Sequence, residues 1–142
     1  MDKKLVAKLI KEFEGCKLNA YKCPAGVWTI GIGHTTGVSE GDVITLSQAD
    51  QFLDEDIDVV MRGVRSLIKV DLNGNQLAAL ISFAFNLGVY ALSKSTLLRK
   101  LNAGDFTGAA DEFGRWVYGF GSNKPLPGLI KRRKVERDLF LK

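Results

Sequence analysis

The segment EGCKLNAYKCPAGVWTIGIGHT, from Glu14 to Thr35, contains the most informative pattern in this chain of 142 residues. A helical pattern ends where the segment begins, because apolar side chains recur at helical spacing from Leu5 to Phe13 and Gly15 is a typical helix stop. Glu14 is therefore expected in the last helical turn, on the apolar side of the helix. Partial burial and the negative end of the helix dipole both favour its protonated form, which suits a general acid.

The next part of the segment predicts a β-hairpin. Residues 19–22 and 27–32 are the two expected strands, joined by a Pro-Ala-Gly turn. The tight turn places Cys23 and Thr29 on opposite sides of one point, so that a thiol and a hydroxyl can act there together. Gly31 and Gly33 leave the second strand without side chains, as is common where a ligand or another backbone approaches closely.

The remaining sequence predicts helices. Residues 48–66 keep apolar side chains at helical spacing and form the expected connecting helix, with Ser47 and Asp50 as its capping arrangement. The run QLAALISFAFNLG is apolar on almost every side, which indicates a helix buried all round that ends at Gly88. Asn86 is its polar exception, and its amide must find partners in backbone groups of a neighbouring helix or in a sugar. Further helices are expected over residues 95–101, 106–116 and 129–141.

Charge and aromatic residues suggest surfaces but no single function. Twenty Lys and Arg against sixteen Asp and Glu give a net charge of +4, which suits a nucleic acid, an anionic membrane surface or a cell wall. The basic runs near both ends and the acidic start of the connecting helix are expected to be solvated helix faces. The last helix is expected to be basic and amphipathic, with Ile130 and Phe140 turned inward. Tyr118 and Phe120, in a Gly- and Pro-rich segment, are candidates to line a groove.

Two absences in the sequence suggest where the chain folds. The N-terminal residues do not form a signal-peptide pattern, and no segment approaches the ~20 apolar residues of a transmembrane helix. The chain is therefore expected to fold in the cytoplasm, where two cysteines form neither a disulfide framework nor a zinc site. Cys16 and Cys23 leave two alternatives: a redox pair, if their Cα atoms approach within about 7 Å, or two independent thiols.

Eight residues separate Glu14 from Cys23, and five separate Cys23 from Thr29. This spacing resembles that of the catalytic triad of the phage-type lysozymes, or endolysins, of glycoside hydrolase family 24. Their middle residue is Asp or Cys. The resemblance continues in GIGHT at 31–35, SFAFNLG at 82–88 and GLIKRRKVE at 128–136, so that it covers nearly the whole chain.

The resemblance implies an α+β, lysozyme-like fold in a single domain, mostly helical, with a cleft between two lobes. Its expected parts are a small antiparallel β-hairpin lobe (roughly 14–46), the long connecting helix (roughly 48–66) and a larger helical lobe (roughly 1–13 and 67–142).

The implied activity is that of a muramidase. It hydrolyses the β-1,4 bond between N-acetylmuramic acid and N-acetylglucosamine in bacterial peptidoglycan, with inversion and without a cofactor or metal, and so lyses the host cell. Glu14 is the implied general acid. Cys23 and Thr29 are assigned to the water side, which is the side of the glycosidic bond from which the attacking water approaches. A neutral thiol is a weaker base than the carboxylate of other members, and the Thr29 hydroxyl is expected to orient water rather than activate it.

Three residues are candidates for binding substrate: His34, Asn86 and Arg132. His34 has a structural alternative, in which it links the hairpin to the acidic connecting helix. Arg132 and Arg133 also have two expected roles, because they can bind the saccharide and its carboxylates or form an ion pair with Glu14.

The implied partner is peptidoglycan, with no nucleic acid and no stable membrane insertion. The resemblance implies a monomer that is made in the host cytoplasm and acts in the periplasm after a separate holin has opened the membrane. Two enzymatic alternatives are cleavage of chitin-like polymers and lytic transglycosylation, and the water site of Cys23 and Thr29 argues against the second. The non-enzymatic alternative is a basic module that binds the wall or nucleic acid, in which the triad is vestigial.

Overall fold

The computed structural model describes residues 2–119 and 121–142 as a mainly helical chain with a two-stranded antiparallel sheet. The expected α+β architecture, with a hairpin, a long connecting helix and further helices, is confirmed. The elements in chain order are α1 (Lys3–Glu14), β1 (Lys17–Lys22), β2 (Trp28–Gly31), α2 (Leu46–Leu67), α3 (Gly74–Leu87), α4 (Val89–Ser93), α5 (Thr96–Asn102), α6 (Phe106–Glu112) and α7 (Pro127–Phe140).

Helix α1 carries the carboxyl of Glu14 to the edge of the core. The helix begins after Asp2, whose side chain accepts a hydrogen bond from the Lys4 backbone N–H at 2.9 Å. It ends at Gly15, whose φ of 67° lies in the left-handed region that glycine adopts at little cost. Glu14 follows the fully buried Ile10 by four residues and therefore leaves the helix on its buried side, where its side chain is 22% exposed.

Strands β1 and β2 form the expected hairpin. The turn is closed by the Cys23 backbone N–H, which donates to the Val27 carbonyl at 3.0 Å. Tyr21 lies directly opposite Thr29 in the antiparallel register. Because directly opposite residues of an antiparallel pair project from the same face, Tyr21 and Thr29 share one face of the hairpin.

Helix α2 starts earlier than the sequence analysis expected. It begins at Leu46 rather than near Gln48, and its cap is Thr45 rather than Ser47. The Thr45 hydroxyl accepts from the Gln48 backbone N–H at 3.1 Å, and the Gln48 side chain accepts from the Thr45 backbone N–H at 2.9 Å. This reciprocal pair satisfies two donors at once. Asp50, the expected partner of Ser47, instead forms an ion pair with Lys11 at 2.9 Å.

Helix α3 lies at the centre of the helical part, as its all-round apolar pattern predicted. It packs against α1, α2 and α7, and residues 77–84 are buried. The Phe83 ring meets Phe113 and Trp116 edge to face, with centroids 5.5 Å apart in each pair. The helix expected over residues 106–116 is shorter, because α6 gives way to a 3-10 turn over Phe113–Arg115 that includes the weak helix former Gly114.

Helix α7 differs most from the sequence expectation. It begins at Pro127, a residue well suited to the first helical position, and Phe140 is buried as expected. Ile130, which was expected to turn inward, is 48% exposed. Arg132 and Arg133 are instead buried, whereas Lys131 and Lys134 of the same basic run are exposed, so the expected solvated face holds only in part. Within the two described ranges, no helix has the length and apolar character that crossing a membrane requires.

Packing of α2 against the core can be tested with Ile57→Ala. Ile57 is fully buried, and removing its side chain is expected to lower the free energy of unfolding by about 2–5 kcal/mol because a cavity remains. Urea denaturation followed by circular dichroism measures the change. The control Val59→Ala, at a 59% exposed position of the same helix, is expected to change stability by less than about 0.5 kcal/mol. Equal losses in the two variants would contradict this packing.

Candidate active site

The Glu14 carboxyl lies between α7 and the chain that follows β2. Its Oε1 accepts a hydrogen bond from Arg132 Nη1 at 2.9 Å. On the other side, a Cβ atom placed on Gly33 would lie 3.2 Å from Glu14 Oε2 and 3.2 Å from Phe85 Cε1. A ligand or another backbone was expected to approach the two bare glycines, but the close neighbours are side chains: Glu14 and Phe85 at Gly33, and Ala49 and Ile44 at Gly31.

Arg132 is held by a buried polar network. Only 3% of the residue is exposed. Its Nη2 donates to the Ser82 carbonyl at 3.0 Å, and its Nε donates to Glu136 Oε2 at 3.3 Å. The Ser82 hydroxyl donates to the same carboxylate oxygen at 2.6 Å. Arg132 thus joins α1, α3 and α7, and the expected ion pair between Arg132 and Glu14 is present in the structure.

Arg133 is the second buried cation of this network. Its Nη2 donates to Glu136 Oε2 at 3.2 Å and to Asn86 Oδ1 at 2.9 Å. Its Nε lies 2.8 Å from Glu136 Oε1, within ion-pair distance, although the N–H is not aligned for a directed hydrogen bond. Burial raises the pKa of Glu136, while the charges of Arg133 and Arg132 oppose that increase.

Asn86 has a different partner from either expected alternative. Its amide oxygen accepts from the Arg133 guanidinium, whereas a backbone group or a sugar was expected. The sequence run gave no indication of this contact, because Arg133 itself was expected to be solvated or to face the cleft. The proposed sugar contact of Asn86 stays a prediction, and the residue does line a cavity beside Glu14.

His34 is packed against α2. Its Nδ1 lies 2.7 Å from Asp56 Oδ2, and its ring stacks on Phe52 with centroids 4.2 Å apart. The residue is 8% exposed. These contacts are those of the structural alternative, in which His34 ties the hairpin to the connecting helix. A direct contact between His34 and substrate stays a prediction.

Cys23 lies at the start of the hairpin turn, close to the backbone N–H groups of Ala25 and Val27 and to the Thr29 hydroxyl, which donates to the Val27 carbonyl at 3.0 Å. The Val27 backbone N–H lowers the pKa of the Cys23 thiol most, and the Ala25 backbone N–H and the Thr29 hydroxyl act in the same direction. The structure therefore brings Cys23 and Thr29 together, as the tight turn suggested. These donors favour the thiolate, which is a better proton acceptor than the neutral thiol considered from the sequence.

Of the two alternatives for Cys16 and Cys23, this fold does not have the redox pair. Both thiols are free, and the six residues of β1 lie between them. A strand advances about 3.3 Å per residue, so β1 holds the two Cα atoms farther apart than the roughly 7 Å that a disulfide can span. The alternative of two independent thiols describes the folded protein.

Tyr21 is a residue of this site that the sequence analysis missed. It lies directly opposite Thr29 on the hairpin, and burial raises its pKa, as do the negative charges of Glu14 and Cys23. A usable signal was present in the sequence. Tyr21 and Cys23 are two residues apart at the end of a strand, and such residues point to the same face.

An open cleft adjoins the Glu14 carboxyl. On one side is a cavity of about 520 Å³, whose lining includes Glu14, Asn86, Leu126 and Arg132. On the other side is a hollow of about 150 Å³ lined by residues that include Gly33, Thr35, Asp56 and Phe85. A further surface hollow of about 370 Å³, beside Arg65 and Asn73, shares no residue with the site.

The two aromatic groove candidates have different outcomes. Tyr118 is 54% exposed and pairs through its backbone with Pro125, next to the cavity residue Leu126. Phe120 lies outside the described residues. In the described part of the chain, His, Cys, Asp and Glu side chains form no group of three or more that would hold a metal ion.

Glu14 lies at the C-terminal end of α1 beside an open cavity and against the backbone at Gly33, and the nearby hairpin carries a thiol and a hydroxyl at its turn. A carboxyl at an open cavity is an arrangement typical of a lysozyme-type glycoside hydrolase. The phage lysozyme family model matches residues 11–136. The chain belongs to the phage lysozyme family. The expected family and enzyme class are thereby confirmed, which sets aside the non-enzymatic binding module.

Individual relatives agree with this assignment. An endolysin of Acyrthosiphon pisum secondary endosymbiont phage 1 is 52% identical over 134 residues, which are 93% of this chain and 92% of that protein. An endolysin of Bacillus phage B103 is 46% identical over 94% of this chain, which spans 51% of that longer protein. The muramidase domain of SpmX from Asticaccaulis excentricus has a TM-score of 0.91 at 38% identity, covering 98% of this chain and 96% of that domain.

The buried network can be tested with Glu136→Ala. This change leaves the guanidiniums of Arg132 and Arg133 buried without their shared carboxylate, so the free energy of unfolding is expected to fall by about 3–5 kcal/mol. The control Asp138→Ala removes the exposed pair with Lys134 on the same helix and is expected to cost less than about 1 kcal/mol. Urea denaturation compares them. A small, equal effect of both changes would show that the buried carboxylate is not needed.

The lowered pKa of Cys23 predicts faster alkylation. Because the turn donors lower the pKa of Cys23, a larger fraction of this thiol is ionised at pH 7 than of the same thiol without those donors. Iodoacetamide is therefore expected to modify Cys23 several times faster than the exposed Cys16, as measured by mass spectrometry of peptides. The rate at Cys23 should reach half its maximum at a lower pH in the folded protein than in the urea-unfolded chain. An equal or higher midpoint in the folded protein would contradict the role of the turn donors.

Proposed function

We propose that this peptidoglycan-hydrolysing enzyme cuts the β-1,4 bond between N-acetylmuramic acid and N-acetylglucosamine, with Glu14 as the general acid and Cys23 and Thr29 on the water side. Membership of the phage lysozyme family supports the reaction class, and the names endolysin and muramidase of its relatives support the substrate. The observation that carries the residue assignment is the position of Glu14, fixed by Arg132 at an open cleft and facing the hairpin.

Glu14 is suited to deliver a proton to the leaving sugar. Arg132 holds Oε1, while Oε2 is directed towards the backbone at Gly33. In the reaction, the protonated carboxyl gives its proton to the glycosidic oxygen as the bond to C1 breaks. The carboxylate that remains then gains the full attraction of the Arg132 guanidinium. This interaction is stronger after proton transfer than before it, so it stabilises the transition state more than the ground state.

Cys23 and Thr29 are suited to prepare the attacking water. The Cys23 thiolate accepts one proton of the water, and the Thr29 hydroxyl orients it. The water oxygen forms the new bond to C1 from the face opposite the leaving oxygen, so the product has inverted configuration. At the end of the step Glu14 is charged and Cys23 carries the proton, and exchange with solvent restores both groups. The configuration of the first-formed product, read by NMR, tests inversion.

The finer account of where the enzyme works is also a proposal. We infer that a monomer made in the host cytoplasm reaches periplasmic peptidoglycan after a separate holin has opened the membrane. The name endolysin of the relatives supports action on the wall from within. Sedimentation at the mass of one chain, 15.6 kDa, would support the monomer, and lysis without any membrane lesion would contradict the release route.

The assigned acid can be tested with Glu14→Gln. The amide keeps the size of the side chain but cannot donate a proton as a carboxylic acid does, so the rate is expected to fall by about 10²–10⁴-fold. The measurement is release of reducing ends from purified peptidoglycan under reducing conditions. Glu55→Gln, at an exposed position of α2, is the matched control and should keep the parent rate.

Each other result of this assay has a distinct meaning. No release by the parent protein would contradict the proposed function. Equal rates of the parent and Glu14→Gln would remove Glu14 from the chemistry. Products ending in an anhydro ring would indicate a transglycosylase, and faster cleavage of chitin-like polymers would change the substrate.

A further inference from the structure

Strand β1 presents a hydroxyl that has no role in the mechanism above. Tyr21 lies opposite Thr29 and two residues before Cys23, which places its side chain on the face of the hairpin that carries both. Lys17, four residues earlier, has its Nζ 4.4 Å from the centre of the Tyr21 ring. This contact holds the ring of Tyr21 and does not involve its hydroxyl.

Tyr21 is a half-buried residue in the same region of the molecule as Glu14 and Cys23. Glu14 and Cys23 belong to opposite sides of the bond to be cut, and both are near enough for their charges to raise the pKa of Tyr21. Among the described residues, no side chain forms a direct hydrogen bond with the Tyr21 hydroxyl. A phenol with a pKa of about 10 or above is protonated at neutral pH, so this hydroxyl is available as a neutral donor.

We propose that Tyr21 is a further catalytic residue, whose O–H donates a hydrogen bond to an oxygen of the sugar held between Glu14 and Cys23. This inference rests on the proposed function, because it requires a glycan in the cleft. One face of the hairpin then has two roles in the reaction. Cys23 and Thr29 prepare the attacking water, and the Tyr21 hydroxyl positions the sugar next to them. A correctly positioned sugar raises the rate because the acid and the water then meet C1 together.

The variant Tyr21→Phe tests the hydroxyl alone. It keeps the ring and its contact with Lys17, so the fold should be unchanged. The value of kcat/KM on soluble, uncrosslinked glycan strands is expected to fall about 10-fold, in line with the loss of one neutral hydrogen bond. Tyr90→Phe, at a 76% exposed position on α4, is the matched control and should keep the parent value.

Two further readouts separate a substrate contact from a structural role. The thermal unfolding midpoint and the alkylation rate of Cys23 should be the same in Tyr21→Phe and the parent protein. An unchanged kcat/KM in Tyr21→Phe would overturn the inference. A loss of activity together with a lower midpoint or altered Cys23 reactivity would also overturn it, since the hydroxyl would then act through the fold. Failure of the parent protein to cleave the glycan would instead contradict the proposed function.

Discussion

The Arg132 guanidinium is the contact on which the geometry of the site depends. It joins Glu14 of α1, the Ser82 carbonyl of α3 and Glu136 of α7 while only 3% of the residue is exposed. Burying such a cation has a large desolvation cost, which is offset only when its donors find well-placed acceptors. Moving any one of these three helices would leave a buried charge without a partner. The network therefore fixes Glu14 relative to the core far more tightly than apolar packing, which tolerates small shifts, would do alone.

The hairpin meets this fixed carboxyl through its backbone. Gly33 has no side chain, and an added Cβ there would press on both Glu14 and Phe85. His34, the next residue, is anchored to α2 through Asp56 and Phe52. One residue thus permits the close approach and its neighbour holds the hairpin in place. The position of the hairpin relative to Glu14 is thus fixed by contacts with two helices, α1 and α2, as well as by the pairing of its own strands.

Much of this fold could be predicted from the sequence, but the interior of α7 could not. Helical spacing placed Glu14 on the buried side of α1, because its position follows Val6 and Ile10 in steps of four. The same reasoning failed for Arg132 and Arg133. A charged residue has no periodic signal that distinguishes a solvated face from a buried network, since burial depends on partners that are distant in the chain. The one local indication was Glu136, which follows these two arginines by four and three residues and so lies beside both on a helix.

The hairpin turn also bears on how a cysteine can act as the proton acceptor of the proposed mechanism. A thiol in water is mostly protonated at neutral pH and is then a poor proton acceptor. In this turn, the backbone N–H groups of Val27 and Ala25 and the Thr29 hydroxyl lower the pKa of Cys23. The tight geometry that closes the hairpin therefore also supplies the donors that favour a negative charge. In the proposed mechanism the basicity of Cys23 is thus a property of the turn, and substitutions that reshape it should alter the chemistry even where the thiol remains.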